Sequence, residues 1–485
     1  MTKEELLILA EQICANRAEE QTIELKAAEG GYPHRLYDTL SSFSNQDMGG
    51  IIVFGIDEQK GFIPCNVYDV QDLQKKVTEQ CNQMMPPVRA VFTTVEYKGC
   101  VICSAEIPGI DLADRPCYYK GAGRLKGSFV RVGDADLPMT DYELYSFEAF
   151  RKHAHDDERI VEKATMQSFN INKIDKYIEK HQIDKPEFAK LPRNMQEEML
   201  NITRDGKPTV AALMNFCVYP QGYFPQLAIT AIRVPGFEIG EVDESDARFI
   251  DNKRIEGTLA DMMEGALTFS MRNMKVATII DKNTGKRIDK TEYPIKAIRE
   301  AVLNALIHRD YSHFTEGTPV QMIFYADRLE IHSPGSLYGR MTVEQLGYSK
   351  PDLRNPALAL IAESQTEAEN GYSGIPTIRL AMKEYGLPEP VFENRRNEFV
   401  VILKNHIEIA SEESGNKSEH GSALDLIEFC KEPKSRQEIA DYLGLKTLYH
   451  VTKAYIDPLV KSNQLFLTIP EHPKSRHQKF YSARQ

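Results

Sequence analysis

Residues Ile298 to Ser312 read IREAVLNALIHRDYS, and their spacing decides how the centre of the chain folds. Ile298, Val302, Ala305 and Leu306 recur at helical intervals and form one apolar stripe. Glu300 and Asn304 stand four apart, so they share a helix face one turn from each other. A carboxylate beside an amide stabilises a core poorly, but it suits a hydrated metal ion. The amide supplies an uncharged oxygen, and the carboxylate orients or deprotonates a water. The apolar rhythm stops at Asp310, where the helix is expected to end.

Working outward, the pattern predicts a long helix over Ile255–Met274 and two strands, Pro319–Tyr325 and Arg328–His332, followed by SPGSL. Arg354-Asn355-Pro356 opens a further helix. In NGYSGIPTIRL, Gly371 and Gly374 bracket Tyr372-Ser373, and a helix begins near Pro376, where proline's missing donor is not needed. Small residues leading into a helix N-terminus expose N–H groups that cradle phosphates. A strand, Glu398–Leu403, closes the region.

The E-x-x-x-N-A pattern at Glu300, Asn304 and Ala305 resembles the first nucleotide box of the GHKL (Bergerat-fold) ATPases. The longer run REAVLNALIHRDYS resembles one bacterial branch, in which a Schlafen-AlbA-type domain precedes a GHKL-like domain; its members are regarded as transcriptional regulators. The resemblance implies ATP, with Mg²⁺ on Asn304 and Glu300 as the base of an ATPase. It implies nucleotide contacts from Glu300, Asn304, His308, Pro334, Gly335, Gly371, Ser373 and Gly374. In that family a second box, D-x-G-x-G, carries an aspartate that bonds the adenine amino group. His332-Ser333-Pro334-Gly335 stands there instead, so the adenine contact is undefined.

Toward the N-terminus, residues 1–18 read as an amphipathic helix. Glu24 and Lys26 share one side of a strand, and a helix is expected over Pro33–Asn45. The apolar run Ile51–Ile56 after Gly49-Gly50 reads as a central strand, with Asp57 at its exit. Val88–Tyr97 and Cys100–Ile107, joined at Lys98-Gly99, read as a hairpin. Cys100 and Cys103 form a lone C-x-x-C without a second pair at zinc spacing. Between Arg115 and Val132 lie Arg115, Lys120, Arg124, Lys126 and Arg131, with no acid among them and with Tyr118, Tyr119 and Phe129 interleaved. Cations for phosphates beside aromatic faces for bases make a workable nucleic-acid surface.

Residues 15–145 resemble the Schlafen-AlbA domain through ELK at 24–26, SSFSNQDMGGIIVFGID and GSFVRVGDADLPMT. Some Schlafen proteins are RNA nucleases using two glutamates and an aspartate; Glu19, Glu24 and Asp57 fall at similar places. The resemblance thus leaves a metal-dependent nuclease, with a role in defence, as an alternative.

With 42% hydrophobic and 27% charged residues the composition is that of a globular protein. No apolar run approaches membrane length, the start is a charged helix rather than a signal peptide, and eight scattered cysteines suit a reducing compartment, so a cytoplasmic location is expected. Net charge is −12. Residues 422–485 hold 10 Lys+Arg against 7 Asp+Glu, which leaves about −15 on the rest and points the tail toward a polyanion. Residues 405–422 are a Gly/Ser-rich linker. Beyond it, three helices, the second capped by Ser435 and Glu438, and a basic hairpin follow winged-helix logic. Lys446, Thr447, His450 and Lys453 would enter the major groove, while Lys474 and Arg476 touch backbone.

The expected architecture is mixed α/β (α+β) and multidomain. A Schlafen-AlbA-like α/β domain covers 1–148, a connecting α/β region 149–255, a GHKL-like α/β sandwich 256–405, a linker 406–422 and a winged helix 423–485. The expected function is a cytosolic regulator whose ATP occupancy modulates binding of DNA, possibly RNA. The alternatives are the nuclease and a degenerate scaffold. No membrane contact is expected, and a homo-oligomer is possible on general grounds.

Overall fold

The computed structural model describes residues 1–242, 246–280, 287–350, 352–366, 374–405, 426–427, 429–443, 451–456, 459–460, 464–470 and 478–482. The chain divides into two compact units, the first comprising Met1–Ile232, Asn252–Ile323 and Leu329–Leu403.

The first unit opens with the helix Lys3–Asn16, started by a capping box between Thr2 and Glu5. A four-stranded sheet follows in the order Ile23–Lys26, Gly50–Phe54, Cys100–Ile107, Val91–Tyr97. Its first two strands are parallel and the others antiparallel. Gly50–Phe54 is interior, as its unbroken apolar run requires, with Ile52, Val53 and Phe54 fully buried. The expected helix over Pro33–Asn45 is shorter, Tyr37–Ser44. The Arg115–Val132 stretch is a short bridge at Tyr118–Tyr119, one helical turn and the strand Phe129–Val132.

A six-stranded sheet carries the second half, in the order Asp251–Ile255, Ile229–Arg233, Val320–Phe324, Arg328–Pro334, Glu398–Lys404, Val391–Asn394. Two of its strands precede residue 256, so this sheet straddles the boundary expected there. The expected helix Ile255–Met274 is Leu259–Asn273, because Ile255 ends a strand and Thr258 caps the helix with Asp261. Next comes a hairpin that the expected elements leave out, Val276–Ile280 paired with Arg287–Thr291, although the β-branched run before Asn283-Thr284-Gly285 signals it in the sequence. The quoted stretch forms the helix Ile295–Ile307, which ends one turn before Asp310 with His308 as its C-cap. Pro356–Thr366 and Gly374–Glu384 complete the helices around it.

The second unit gathers Arg233–Asp251, Phe324–Arg328 and Lys404–Gln485. The tail holds the Ser435–Glu438 capping box expected, on the helix Arg436–Tyr442. A small sheet runs in the order Lys434–Ser435, Lys479–Tyr481, Phe466–Leu467. Leu426, Cys430, Ile439, Val451, Leu465 and Phe480 form its core.

All eight cysteines are free thiols, and among the described residues no helix is long and apolar enough to cross a membrane.

Asp157 joins the segment after the N-terminal domain to the Pro356–Thr366 helix. It is fully buried, and its Oδ2 accepts from the Leu358 N–H at 2.8 Å, in the first turn. Burial pushes its carboxyl up to about 6. The folded value therefore lies above the ordinary one, and the folded chain holds the proton across the intervening range. The contribution is full below about pH 4 and is lost as pH rises through 6. Asp157→Asn should remove this dependence. From pH 4 to 7 wild type should lose up to about 3 kcal/mol relative to the variant, read from urea denaturation at each pH. Parallel stability curves would refute it.

Candidate nucleotide site

The apolar stripe of Ile295–Ile307 is buried as its periodicity requires, with Ile298, Ala301, Val302 and Leu306 almost fully enclosed. The opposite face carries Glu300 and Asn304, and both are half-buried rather than sealed against hydrocarbon. They line a cavity of about 380 Å³, at the small end of the range for ligand sites. His308, Gly335 and Gly374 line it as well.

Gly374 is the first residue of its helix. A side chain there would place its Cβ 3.0 Å from Asn304 Nδ2, 3.2 Å from Asn304 Oδ1 and 3.2 Å from Glu300 Oε2. The amide and the carboxylate thus face the positive end of a helix dipole at a point only glycine leaves open. Asn304's oxygen beside Glu300 has the donor chemistry of a hydrated divalent cation.

His308 presents its ring to the cavity, and no hydrogen bond ties that ring among the described residues. The surrounding protein, with Arg354 nearby, pushes its pKa down to about 4, so the ring is neutral near pH 7. Arg354 is buried, donates from Nη2 to the Ser336 carbonyl at 2.8 Å, and lies 3.9 Å from the Asp310 carboxylate.

Pro334 does not belong to this cavity. Successive residues of a strand point to opposite faces, so Ile331 and Ser333 line the cavity while His332 and Pro334 line another, with Tyr142, Phe314 and Glu398. Burial works against charge on His332, but its hydrogen bonds to the Glu330 and Glu398 carboxylates outweigh that and raise its pKa. Gly371 and Ser373 lie outside the described residues. Sequence reasoning missed the wall formed by Tyr338, Met341, Leu346, Asp352, Arg354 and Phe399. The Arg354-Asn355-Pro356 run was the available signal, and it was taken only as a helix start.

In the N-terminal domain the basic run is mostly committed elsewhere. Arg115 is buried and pairs with Asp47 at 2.7 Å. Arg131, its side chain 1% exposed, pairs with Glu24 at 2.9 Å and Asp136 at 3.1 Å. Neither guanidinium meets solvent, which corrects their expected place on a phosphate-binding surface. Arg124 lies on Glu148 at 3.2 Å, and Lys120 donates to the Asn82 carbonyl at 3.1 Å. Lys120 and Lys126 remain exposed. Tyr119 stacks on Tyr37, with centroids 3.8 Å apart, and Phe129 is buried.

Two of the three carboxylates of the nuclease alternative, Glu19 and Glu24, meet at the Arg131 guanidinium, at 3.9 Å and 2.9 Å. Glu19 accepts from the Leu25 N–H at 2.7 Å, and burial raises its pKa. Glu24 is taken by Arg131 and Lys26. Asp57 pairs with Lys60 at 3.1 Å, which lowers its pKa. Among the described residues no three His, Cys, Asp or Glu side chains form a metal-holding group.

Of the residues expected to read DNA, Lys446, Thr447, His450, Lys474 and Arg476 lie outside the described residues, as does the Lys453 side chain. The linker 406–422 lies outside them too.

Fold and cavity together define a multidomain α/β chain with a cavity between a helix and a sheet. Residues 19–140 match the Schlafen, AlbA_2 family, residues 317–403 the family described as putative ATP-dependent DNA helicase recG C-terminal, and residues 423–481 the Fic-like C-terminal domain family, whose description reads filamentation induced by cAMP protein. The first two matches relate the chain to nucleic-acid-associated proteins and to ATPase-type domains. The crystal structure of the DIP2311 protein from Corynebacterium diphtheriae is 18% identical, with 95% of this chain and 94% of that one covered and a TM-score of 0.39. The solution structure of the N-terminal domain of a putative ATP-dependent DNA helicase RecG-related protein from Nitrosomonas europaea is 23% identical, with 28% and 92% covered and a TM-score of 0.23. No curated protein matches the chain.

Arg131 gives this region its test. Removing one partner of a buried ion network strands the rest, so Arg131→Leu should cost about 3–5 kcal/mol in urea unfolding. A loss below about 1 kcal/mol would refute the assignment of Arg131 as their counter-ion.

Proposed function

We propose that the chain is a nucleotide-binding, DNA-binding regulator in which ATP in the central cavity modulates nucleic-acid binding. One observation carries this reading: Glu300, Asn304 and the first residue of the Gly374–Glu384 helix come close together in the wall of one cavity. Under it, Asn304 holds Mg²⁺ through its amide oxygen, Glu300 positions a water, and the helix start receives phosphate. A bound Mg²⁺ would supply charge neutralisation for the phosphates. The AlbA_2 and RecG-like matches support a nucleic-acid role. The proposed division is 1–148 for the AlbA-like domain, 149–255 for the connecting region, 256–405 for the nucleotide domain, 406–422 for the linker and 423–485 for a DNA-reading module. No observation favours the nuclease reading, because an internal arginine already neutralises Glu24.

Titration calorimetry with Mg·ATP should give heat for wild type and little for Asn304→Ala. Equal heats, or none for wild type, would sink the nucleotide reading. In filter binding, saturating Mg·ATP should change DNA affinity on the order of 5-fold, and deleting 423–485 should abolish salt-sensitive binding. Unchanged affinities would defeat the regulatory claim.

A further inference from the structure

Glu300, Asn304 and His308 lie at i, i+4 and i+8 and all line the one cavity. Eight residues of helix span about 12 Å, enough to separate the two ends of a nucleoside triphosphate. The ends differ electrically. At one, Glu300 and Asn304 meet the first residue of the Gly374–Glu384 helix, where the dipole is positive. At the other, His308 caps the C-terminus of Ile295–Ile307, where the dipole is negative. Arg354 is the cation near that end; the Asp310 carboxylate stands 3.9 Å from it and the Ser336 carbonyl takes its Nη2, while its buried Nη1 has no hydrogen-bond partner. The cavity's lining is mostly apolar or uncharged, with Leu303, Ala305, Ile307, Ile331, Ser333 and Val401 among its members, and Asp352, Arg354 and Glu363 are its further charged residues. A phosphate chain belongs at the first end and a flat heteroaromatic ring at the second.

We propose that His308 is the ring-contacting residue of the site, offering one donor and one acceptor to the base of the nucleotide while the phosphates lie at Gly374. The proposal rests on the nucleotide reading above and gives it a direction. It also supplies a polar contact where the second box lacks its aspartate. An uncharged imidazole serves a base edge and would serve a phosphate poorly.

The probes are Mg·ATP, Mg·ADP and Mg·tripolyphosphate, titrated into the full chain as wild type, His308→Ala, His308→Gln and Asn304→Ala. His308→Ala should weaken ATP and ADP alike by about tenfold, the loss of one well-placed contact, and leave tripolyphosphate unchanged. His308→Gln, which keeps a donor and an acceptor, should recover most of the loss. Asn304→Ala should weaken ATP and tripolyphosphate together. Thermal melts check that the variants fold; among the described residues the ring makes no hydrogen bond, so Tm should hold.

Unchanged ATP affinity in His308→Ala overturns the proposal alone, as does an equal loss of tripolyphosphate. No binding of any probe by wild type overturns the nucleotide reading itself.

Discussion

A helix that ends inside a protein needs donors for its last carbonyls, and the arrangement around the cavity depends on where Ile295–Ile307 finds them. Asn355 Nδ2 donates to the Ile307 carbonyl at 2.8 Å and to the Arg309 carbonyl at 2.7 Å. Ser333 Oγ donates to the Ala305 carbonyl at 2.8 Å, and the Asp310 N–H to the Pro334 carbonyl at 2.8 Å. These bonds tie the helix to the strand Arg328–Pro334 and to the start of Pro356–Thr366, and all three elements wall the cavity. The fit has a cost, because Asn355 Oδ1 is buried without a hydrogen-bond partner. Such an atom forfeits on the order of 1–3 kcal/mol. The fold tolerates that in exchange for two satisfied carbonyls at the helix end.

The helix was legible because its evidence is local: four apolar residues at helical spacing and two polar ones on the other face. The same holds for the cap at Ser435, where a hydroxyl three residues from its N–H needs no distant partner. The cavity's second wall was not legible. Residues 336–354 have neither period, and their side chains find the cavity only once Asn355 has fixed the chain beyond them. The fate of Pro334 shows the same limit. Strand alternation was knowable, but which parity faced the helix depended on the sheet's pairing with Glu398–Lys404, far along the chain.

Charge was the least legible property. The Arg115–Val132 stretch contains no acid, so its cations looked free for phosphate. Arg131 finds Glu24 from a strand about a hundred residues earlier and Asp136 across the hairpin it belongs to. Arg115 finds Asp47 in the same way. A buried guanidinium persists only when partnered, so local absence of acid implied partners elsewhere rather than exposure. The same network undercuts the nuclease alternative, because a carboxylate neutralised from within has little left for a metal.

One segment touches both the cavity and the N-terminal domain, and its energetics suit a relay better than a rigid brace. Tyr338, Leu346, Asp352 and Arg354 line the cavity. From the same segment, Arg340 reaches Asp111 at 3.1 Å and lies 5.4 Å from the Phe150 ring, while Tyr338 meets Phe150 edge-on at 5.6 Å. On its other flank Arg379 donates to the Leu346 carbonyl at 3.0 Å. The Arg340 and Asp111 side chains are each more than half exposed, so their pairing contributes at most about 1 kcal/mol. An edge-on aromatic contact adds a similar amount. Coupling between sites typically amounts to about 1–3 kcal/mol, the same size as these tethers together. A ligand that displaced Tyr338 would therefore exchange contacts of matched strength, whereas a stiffer joint would hold the two domains in one state whatever the cavity contained.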